Sequence, residues 1–306
     1  MSTFLRNTTS SAVSKALLAT RRAGGGAATG HVLTLLVSVD GDDHSEAVEA
    51  ATRTAGEHPS RILVVHHRRE SSPSRLDAEV FGGGERGPGE LVVLDLHGEL
   101  ADAPASVVLP LLVPDTPVVT YWPAWIPPRP SANPLGALGQ RRITDLAAAS
   151  DAPSRLRGLA EQYAPGDTDL SWTRLTPWRS LLAAALDQER SAVTGGSVAA
   201  ERGNPSARLL AAWLSSRLGV GIEIVDSAGP GITEVTLRTD AAGAAEIAIR
   251  RSDGRLAMLR VPGWPERPMA LKRRGLAELI AEELRRLDPD DIYAECLAAV
   301  PVPADT

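Results

Sequence analysis

The sequence predicts an α/β N-terminal domain with a largely parallel sheet over residues 1–160, followed by an α+β C-terminal domain over 161–306 with antiparallel strands flanked by helices. Three observations predict it. A chain of 306 residues is about twice a typical domain. Up to residue 150, nearly continuous apolar runs alternate with helix-like segments, as buried parallel strands and their crossover helices do. After Ala164-Pro165-Gly166-Asp167 the order changes to two helices, a group of strands and two closing helices.

Within the first domain, residues 1–22 read as an amphipathic helix using Val13, Ala16, Leu17 and Leu18, stopped by Gly24-Gly25-Gly26. Residues 31–39 (HVLTLLVSV) and 61–66 (RILVVH) read as buried parallel strands, with a helix over 46–55 between them. Residues 76–81 alternate apolar and polar and suit an edge strand. Residues 90–96 (ELVVLDL) and 116–122 (TPVVTYW) return to the buried type, separated by a short apolar helix over 105–113. Residues 122–134 hold five prolines and no period, which makes a stiff ordered loop. Residues 141–146 (RRITDL) add a strand or close the domain.

In the second domain, Thr176 reads as an N-cap with Pro177 at the first helical position, which leaves Trp172 on a separate turn. An amphipathic helix over 207–218 ends at Gly219. Strands follow over 222–225, 232–238, 246–250 and 256–261, the last two joined through Ser252-Asp253-Gly254. Helices over 271–287 and 289–299 close the chain, the second capped by Asp288.

A net charge of −6 argues against a nucleic-acid binder. No run approaches the ~18 apolar residues of a membrane span, and residues 1–22 lack the pattern of a secretory signal, so a cytoplasmic protein is expected. Cys296, the single cysteine, reads as a buried, inert thiol in the last helix. Gly82-x-Gly84-x-x-Gly87 matches the dinucleotide fingerprint in letters only, because Pro88 and a strand follow where a helix is required. Gly25 and Gly30 have phosphate-loop spacing, but His31 and Val32 stand in the Lys and Ser/Thr places. His31, His44, His58, His66, His67 and His97 lack the spacing of a zinc helix. Asp40-Gly41-Asp42-Asp43-His44 lacks a calcium loop's later glutamate and reads as an acidic turn at a helix start. Asp167 and Asp169 read as turn and cap residues more simply than as an acid/base pair. No catalytic, cofactor-binding or metal-ligating residue is assigned, and no cofactor is expected. The alternative is a sugar-phosphate- or nucleotide-binding enzyme, or a metabolite-sensing adaptor, using the α/β cleft near Asp40, His66 and Arg68. Ligands of such folds bind at the carboxyl ends of parallel strands.

Against that sparse inventory stands one bias of composition. Six of the aromatic residues are Trp, against three Tyr and two Phe. Five of the six Trp cluster in Tyr121-Trp122-Pro123-Ala124-Trp125, in Trp172-Thr173-Arg174 with Pro177-Trp178-Arg179, and in Pro262-Gly263-Trp264-Pro265-Glu266-Arg267. Trp and Arg dominate binding energy at interfaces, at about 2 kcal/mol or more for a hot spot. The partner-binding candidates are therefore Trp122, Trp125, Trp172, Arg174, Arg179, Trp264 and Arg267, whereas Trp178 and Trp213 read as core. Lys272-Arg273-Arg274 places three cations at an expected helix start, either as a solvated basic face or as a docking patch for an acidic partner.

Several segments carry a family resemblance in their joint order. They are His58-Pro59-Ser60-Arg61-Ile62, Pro114-Asp115-Thr116-Pro117-Val118-Val119 with Trp122-Pro123, and Pro134-Leu135-Gly136 with Arg141-Arg142-Ile143-Thr144-Asp145. Further along are Pro165-Gly166-Asp167-Thr168-Asp169-Leu170-Ser171-Trp172 with Trp178-Arg179, and Glu282-Glu283-Leu284-Arg285-Arg286-Leu287-Asp288 with Asp291-Ile292-Tyr293. Together they resemble the bacterial glucose-6-phosphate dehydrogenase assembly proteins, the OpcA family. The resemblance implies a non-catalytic partner that binds glucose-6-phosphate dehydrogenase and promotes its active assembly, in support of the oxidative pentose phosphate pathway and NADPH supply. Thiol-redox control through an internal disulfide, proposed for some relatives, is not open to a chain with one cysteine.

Overall fold

The computed structural model describes residues 2–23, 30–40, 45–69, 73–82, 89–189, 191–241, 245–251 and 253–301. The glycine stop at 24–26, most of the 82–87 glycine loop, residues 41–44 and Ser252 lie outside them. The chain forms two compact units that interleave in sequence. The first comprises Met1–Asp145, Ala164–Thr168 and Gly275–Pro289; the second comprises Leu146–Tyr163, Asp169–Arg274 and Asp290–Thr306.

The first unit is built on an eight-stranded sheet. Its parallel part is β2 (Leu33–Asp40), β3 (Ser60–Arg68), β5 (Glu90–His97), β6 (Val118–Trp122) and β7 (Arg141–Thr144). With β8 (Asp167–Asp169) next to β7, the spatial order β5-β3-β2-β6-β7-β8 is that of a doubly wound dinucleotide fold. Every side chain of β2 from Leu33 to Val39 is buried, which explains its unbroken apolar run. Among the described crossover elements are α2 (Ser45–Thr54) and α3 (Pro104–Val108).

Three expectations are corrected here. Residues 75–81 form β4, but it is not the edge, because β1 (Ser2–Thr8) pairs antiparallel along its outer side. β1 is largely exposed and has only Phe4 and Leu5 as apolar residues, so no pattern announces it. The first helix, α1, is consequently confined to Ser10–Ala23, where Val13 and Leu17 are buried but Leu18 is exposed. Helix α8 (Leu276–Arg285) belongs to this unit and packs on α2. It begins five residues later than the expected start at 271, so Lys272, Arg273 and Arg274 precede it and do not occupy its first turn. Glu278 instead accepts from the Gly275 N–H at 2.9 Å and caps the helix start.

The second unit has a six-stranded, mostly antiparallel sheet in the order β10-β9-β11-β12-β13-β14. Its strands are β9 (Val193–Ala200), β10 (Ile222–Asp226), β11 (Ile232–Thr239), β12 (Glu246–Arg250), β13 (Leu256–Arg260) and β14 (Arg267–Ala270). One pair, β9 with β10, is parallel. β9 (VTGGSVAA) escapes sequence reading because small residues replace an apolar run. A Cβ on its Gly196 would lie 2.5 Å from the Thr236 carbonyl oxygen, so the close approach of β11 requires glycine there. β14 and α4 (Ala152–Glu161) are likewise unexpected. Short α5 (Leu170–Thr173) carries Trp172, and α6 (Thr176–Leu186) follows with Leu175, not Thr176, at the N-cap. Helix α7 (Pro205–Leu218) packs on β9 and β10 and ends at Gly219 with φ 68°. Helix α9 (Asp291–Ala298) is capped by Asp290, whose Oδ1 accepts from the Ile292 and Tyr293 N–H groups at 3.0 and 3.1 Å; the expected Asp288 cap is thus displaced by two residues. Cys296 is buried, donates to the Leu209 carbonyl at 3.2 Å, and has its thiol pKa pushed up by burial to about 12.

Candidate partner-binding surfaces

The three tryptophan segments divide into interior and surface groups. In the first unit, Trp122 ends β6 fully buried. Gly136 packs against its ring: an added Cβ would lie 3.0 Å from the indole and would overlap the Pro130 carbonyl oxygen. The proline loop then brings Trp125 to the surface, 38% exposed, on a stem anchored by buried Ile126 and Pro127. Such a loop holds an aromatic in place with little rotational freedom left to lose.

In the second unit, Trp172 is interior. Its Nε1–H donates to Asp290 Oδ2 at 2.8 Å, its ring tilts over Tyr293 at 5.6 Å, and the Arg179 guanidinium lies 3.7 Å above the ring centroid. That last contact is a cation–π stack. Arg179 is half-buried by it, and Arg174 is half-buried at the C-cap of α5. Trp178 is buried and Trp213 half-buried, Arg251 lying 5.0 Å from the Trp178 ring centroid.

Trp264 differs from all of these. It stands at the tip of the β13–β14 connection, 57% exposed, between Pro262 and Pro265. Its N–H donates to the Val261 carbonyl at 3.1 Å, and Gly263 at φ 77° makes the turn possible. Arg267, at the base, donates to Gln188 Oε1 at 2.8 Å. Of the seven residues singled out, Trp125 and Trp264 are the indoles with surface to offer. Trp122 and Trp172 have almost none in this form.

Both arginines of the basic triplet before α8 bond backbone carbonyls. Arg273 donates to the Pro230 carbonyl and Arg274 to the Thr173 carbonyl.

The carboxyl edge of the parallel sheet in the first unit is stitched by ion pairs. Asp95 takes His66 Nδ1 at 3.0 Å and Arg68 Nε at 3.2 Å, and these bonds, His66 first, hold its carboxyl below the ordinary range. Arg69 bridges Asp40 at 2.5 Å and Asp102 at 3.3 Å. His67 lies between Ser38 Oγ and the Ala101 carbonyl, and burial lowers its pKa. His66 and His67 thus engage different neighbours, as side chains of adjacent strand residues do. Of the expected acidic turn Asp40-Gly41-Asp42-Asp43-His44, only Asp40 is among the described residues. Among the described residues no group of three or more His, Cys, Asp or Glu could hold a metal ion, and no helix is long and apolar enough to cross a membrane.

At the opposite end of β5, Glu90 accepts from Arg21 and, at 2.8 Å, from Arg61. Burial pushes its pKa up, but the two guanidiniums outweigh burial and hold it below the ordinary value of 4.5. A carboxylate with a lowered folded pKa contributes stability above its unfolded pKa and loses it as pH falls through the folded value. Glu90 and Asp95 should therefore make the thermal midpoint fall steeply below about pH 4. Glu90→Gln should flatten that fall in a pH series of thermal melts.

Residues in the segments that carry the family resemblance also act as internal ties. Arg141 pairs with Glu283 and donates to the Asp288 carbonyl at 2.9 Å. Arg142 pairs with Asp167, whose pKa burial nonetheless raises, and with the Pro165 carbonyl. Trp172 meets Asp290 and Tyr293 as described above.

Two family models match the sequence. One, described as the N-terminal domain of the glucose-6-phosphate dehydrogenase subunit, matches residues 51–161. The other, described as the C-terminal domain of the glucose-6-phosphate dehydrogenase subunit, matches residues 165–297. No curated protein matches. Among solved structures the chain is similar to biliverdin reductase from Synechocystis sp. PCC 6803, at 13% identity and a TM-score of 0.43 over 88% of this chain and 96% of that one. It is also similar to a UDP-N-acetylglucosamine 3-dehydrogenase from Acidithiobacillus ferrooxidans, at 14% identity and a TM-score of 0.33 over 88% and 95%. Likenesses this distant carry no argument about activity.

Proposed function

Since this chain belongs to the OpcA family of glucose-6-phosphate dehydrogenase assembly proteins, we propose that it is a cytoplasmic, non-catalytic activator that binds the dehydrogenase and stabilises its active conformation. By that route it supports the oxidative pentose phosphate pathway and NADPH supply. A partner that prefers the active state shifts its population by the difference in affinity between states. A coupling of about 1–3 kcal/mol changes substrate affinity roughly 5- to 150-fold.

One structural observation supports this reading most: a large indole is held out on a rigid turn at Trp264, while the carboxyl edge of the α/β sheet spends its charges on internal pairs. Trp264→Ala should weaken the complex about 30-fold, a loss of ~2 kcal/mol. As a surface substitution it should leave the thermal midpoint within the ~0.5 kcal/mol scatter expected of such changes. Titration calorimetry with purified dehydrogenase measures the affinity. The same instrument, with glucose 6-phosphate, NADP or ATP as titrant and no dehydrogenase present, tests the alternative. Micromolar binding of any of these to the isolated chain would favour an enzyme or a metabolite-sensing adaptor.

A further inference from the structure

Where β12 of the second unit turns toward β13, a buried guanidinium stands without a counter-ion. Arg251, directly after β12, is only 8% exposed, yet no carboxylate among the described residues pairs with it. Neutral groups hold it. Its backbone N–H and its Nη2 donate to the Thr233 and Ile232 carbonyls, each at 2.8 Å, and its Cζ lies 5.0 Å from the Trp178 ring centroid. Its buried Nε–H has no acceptor among the described residues. Arg273, after β14, also lacks a carboxylate among them. Its backbone N–H donates to the Gly254 carbonyl at 2.8 Å and its Nη2 to the Pro230 carbonyl. The carboxylates of the neighbouring turns are engaged elsewhere. Asp253 accepts from the Arg255 and Leu256 N–H groups at 2.8 and 2.9 Å, and Glu201 from Asn204 Nδ2 at 3.0 Å. Burial, and then the nearby Arg273, lower the Arg251 pKa to about 10, which leaves it charged at neutral pH. Both guanidiniums border one space over Gly231. A Cβ there would lie 3.6 Å from Arg251 Nη2 and 4.0 Å from Arg273 Nε, with no other atom of a described, non-adjacent residue within 4 Å. Pro230 and Arg273 are exposed, so solvent reaches this space.

We propose that Arg251, Arg273 and the space over Gly231 form a binding site for a phosphate group. Buried charges are paired as a rule, and neither a carbonyl acceptor nor an aromatic face neutralises one. Two cations bordering the same space repel each other until an anion lies between them. A phosphate group carries about −1.5 to −2 charges at neutral pH, which matches two guanidiniums, whereas a carboxylate neutralises one. The planar guanidinium fork also fits phosphate oxygens with two bonds at once. Backbone bonds fix both side chains in advance, so little rotational freedom is left to lose on binding. Gly231, at φ 65°, keeps the space clear, since any Cβ would stand between the two cations. This inference is independent of the assembly role, and it places the ligand in the second unit, away from the carboxyl edge of the parallel sheet.

Calorimetric titration of the full chain with inorganic phosphate, against chloride at equal ionic strength, tests it. The wild type should bind one phosphate with a dissociation constant of about 1 mM, the strength of two charge-assisted contacts. Arg273→Ala should raise that constant about 10-fold or more, and Arg251→Met should abolish binding. Arg273 is exposed, so its variant keeps the test open should Arg251→Met fail to fold. In thermal melts phosphate should raise the wild-type midpoint and leave those of the variants nearly unmoved. Methyl phosphate distinguishes the source of the group. Binding at least as tight as that of inorganic phosphate supports the site and assigns it to a phosphate monoester; weaker binding supports it for the free ion. A wild type that binds neither at about ten times the expected constant, or variants that bind as tightly as the wild type, overturns the proposal. So do equal midpoint rises in all three proteins, which would be a general salt effect. The proposal also fails if the wild type ignores phosphate while Arg273→Ala loses the dehydrogenase complex, since an acidic side chain of the enzyme would then be the missing anion.

Discussion

Replacing Glu283 by alanine is expected to destabilise the protein by about 3–5 kcal/mol, the cost of leaving a buried charge without its partner. Arg141 and Glu283 have side chains only 5% and 6% exposed, so water cannot take over the lost role. Arg141 would keep its bond to the Asp288 carbonyl, which neutralises no charge. The sign should reverse in the double replacement Arg141→Met/Glu283→Leu. Removing both charges and filling the space is commonly neutral or stabilising. Thermal or urea unfolding of the two variants separates the cases. Equal losses in both would mean that packing of α8, and not the ion pair, dominates.

Trp172→Ala should be comparably severe, at about 3–5 kcal/mol, because an interior indole leaves a cavity that its surroundings fill only partly. Three neighbours lose contact together: Asp290 Oδ2, the Tyr293 ring and the Arg179 guanidinium. Trp172→Phe should recover most of the loss by keeping a ring for the stack, leaving a deficit of about 1–3 kcal/mol for the missing N–H donor. Urea titrations give these values directly. If Trp172→Ala left stability intact and abolished the dehydrogenase complex, the residue would be a contact and not a core element.

Residues that must satisfy two neighbours at once wrote themselves into the sequence. β2, β3 and β5 are covered on both faces, so their runs are apolar and readable, and the α/β class followed from them. β1, β9 and β14 carry no such demand. β1 is an exposed edge, β9 needs small residues for close approach, and β14 is mostly exposed. Helix α8 joins the first unit by packing on α2 and by the pair of Glu283 with Arg141, 142 positions away, and no local pattern reports partners at such distances.

The candidate surface was readable in kind but not in detail. Trp-rich, Pro-flanked segments named the candidate stretches, and among their indoles Trp125 and Trp264 are exposed. Whether each indole faces outward depends on distant partners: Trp172 is claimed by an aspartate 118 residues later. Trp264 is instead directed by its own turn, where a backbone bond to Val261, two prolines and a left-handed glycine fix its orientation.

A chain that acts on the dehydrogenase by binding it, and converts no metabolite itself, must change the enzyme's kinetics without any of its own. The KM of purified glucose-6-phosphate dehydrogenase for glucose 6-phosphate, measured with and without this protein, decides the matter. It should fall about 5-fold or more at saturation, the effect should be much reduced with Trp125→Ala/Trp264→Ala, and the protein alone should show no turnover. An unchanged KM with no complex formed, or turnover of glucose 6-phosphate by the isolated chain, would refute the binding role.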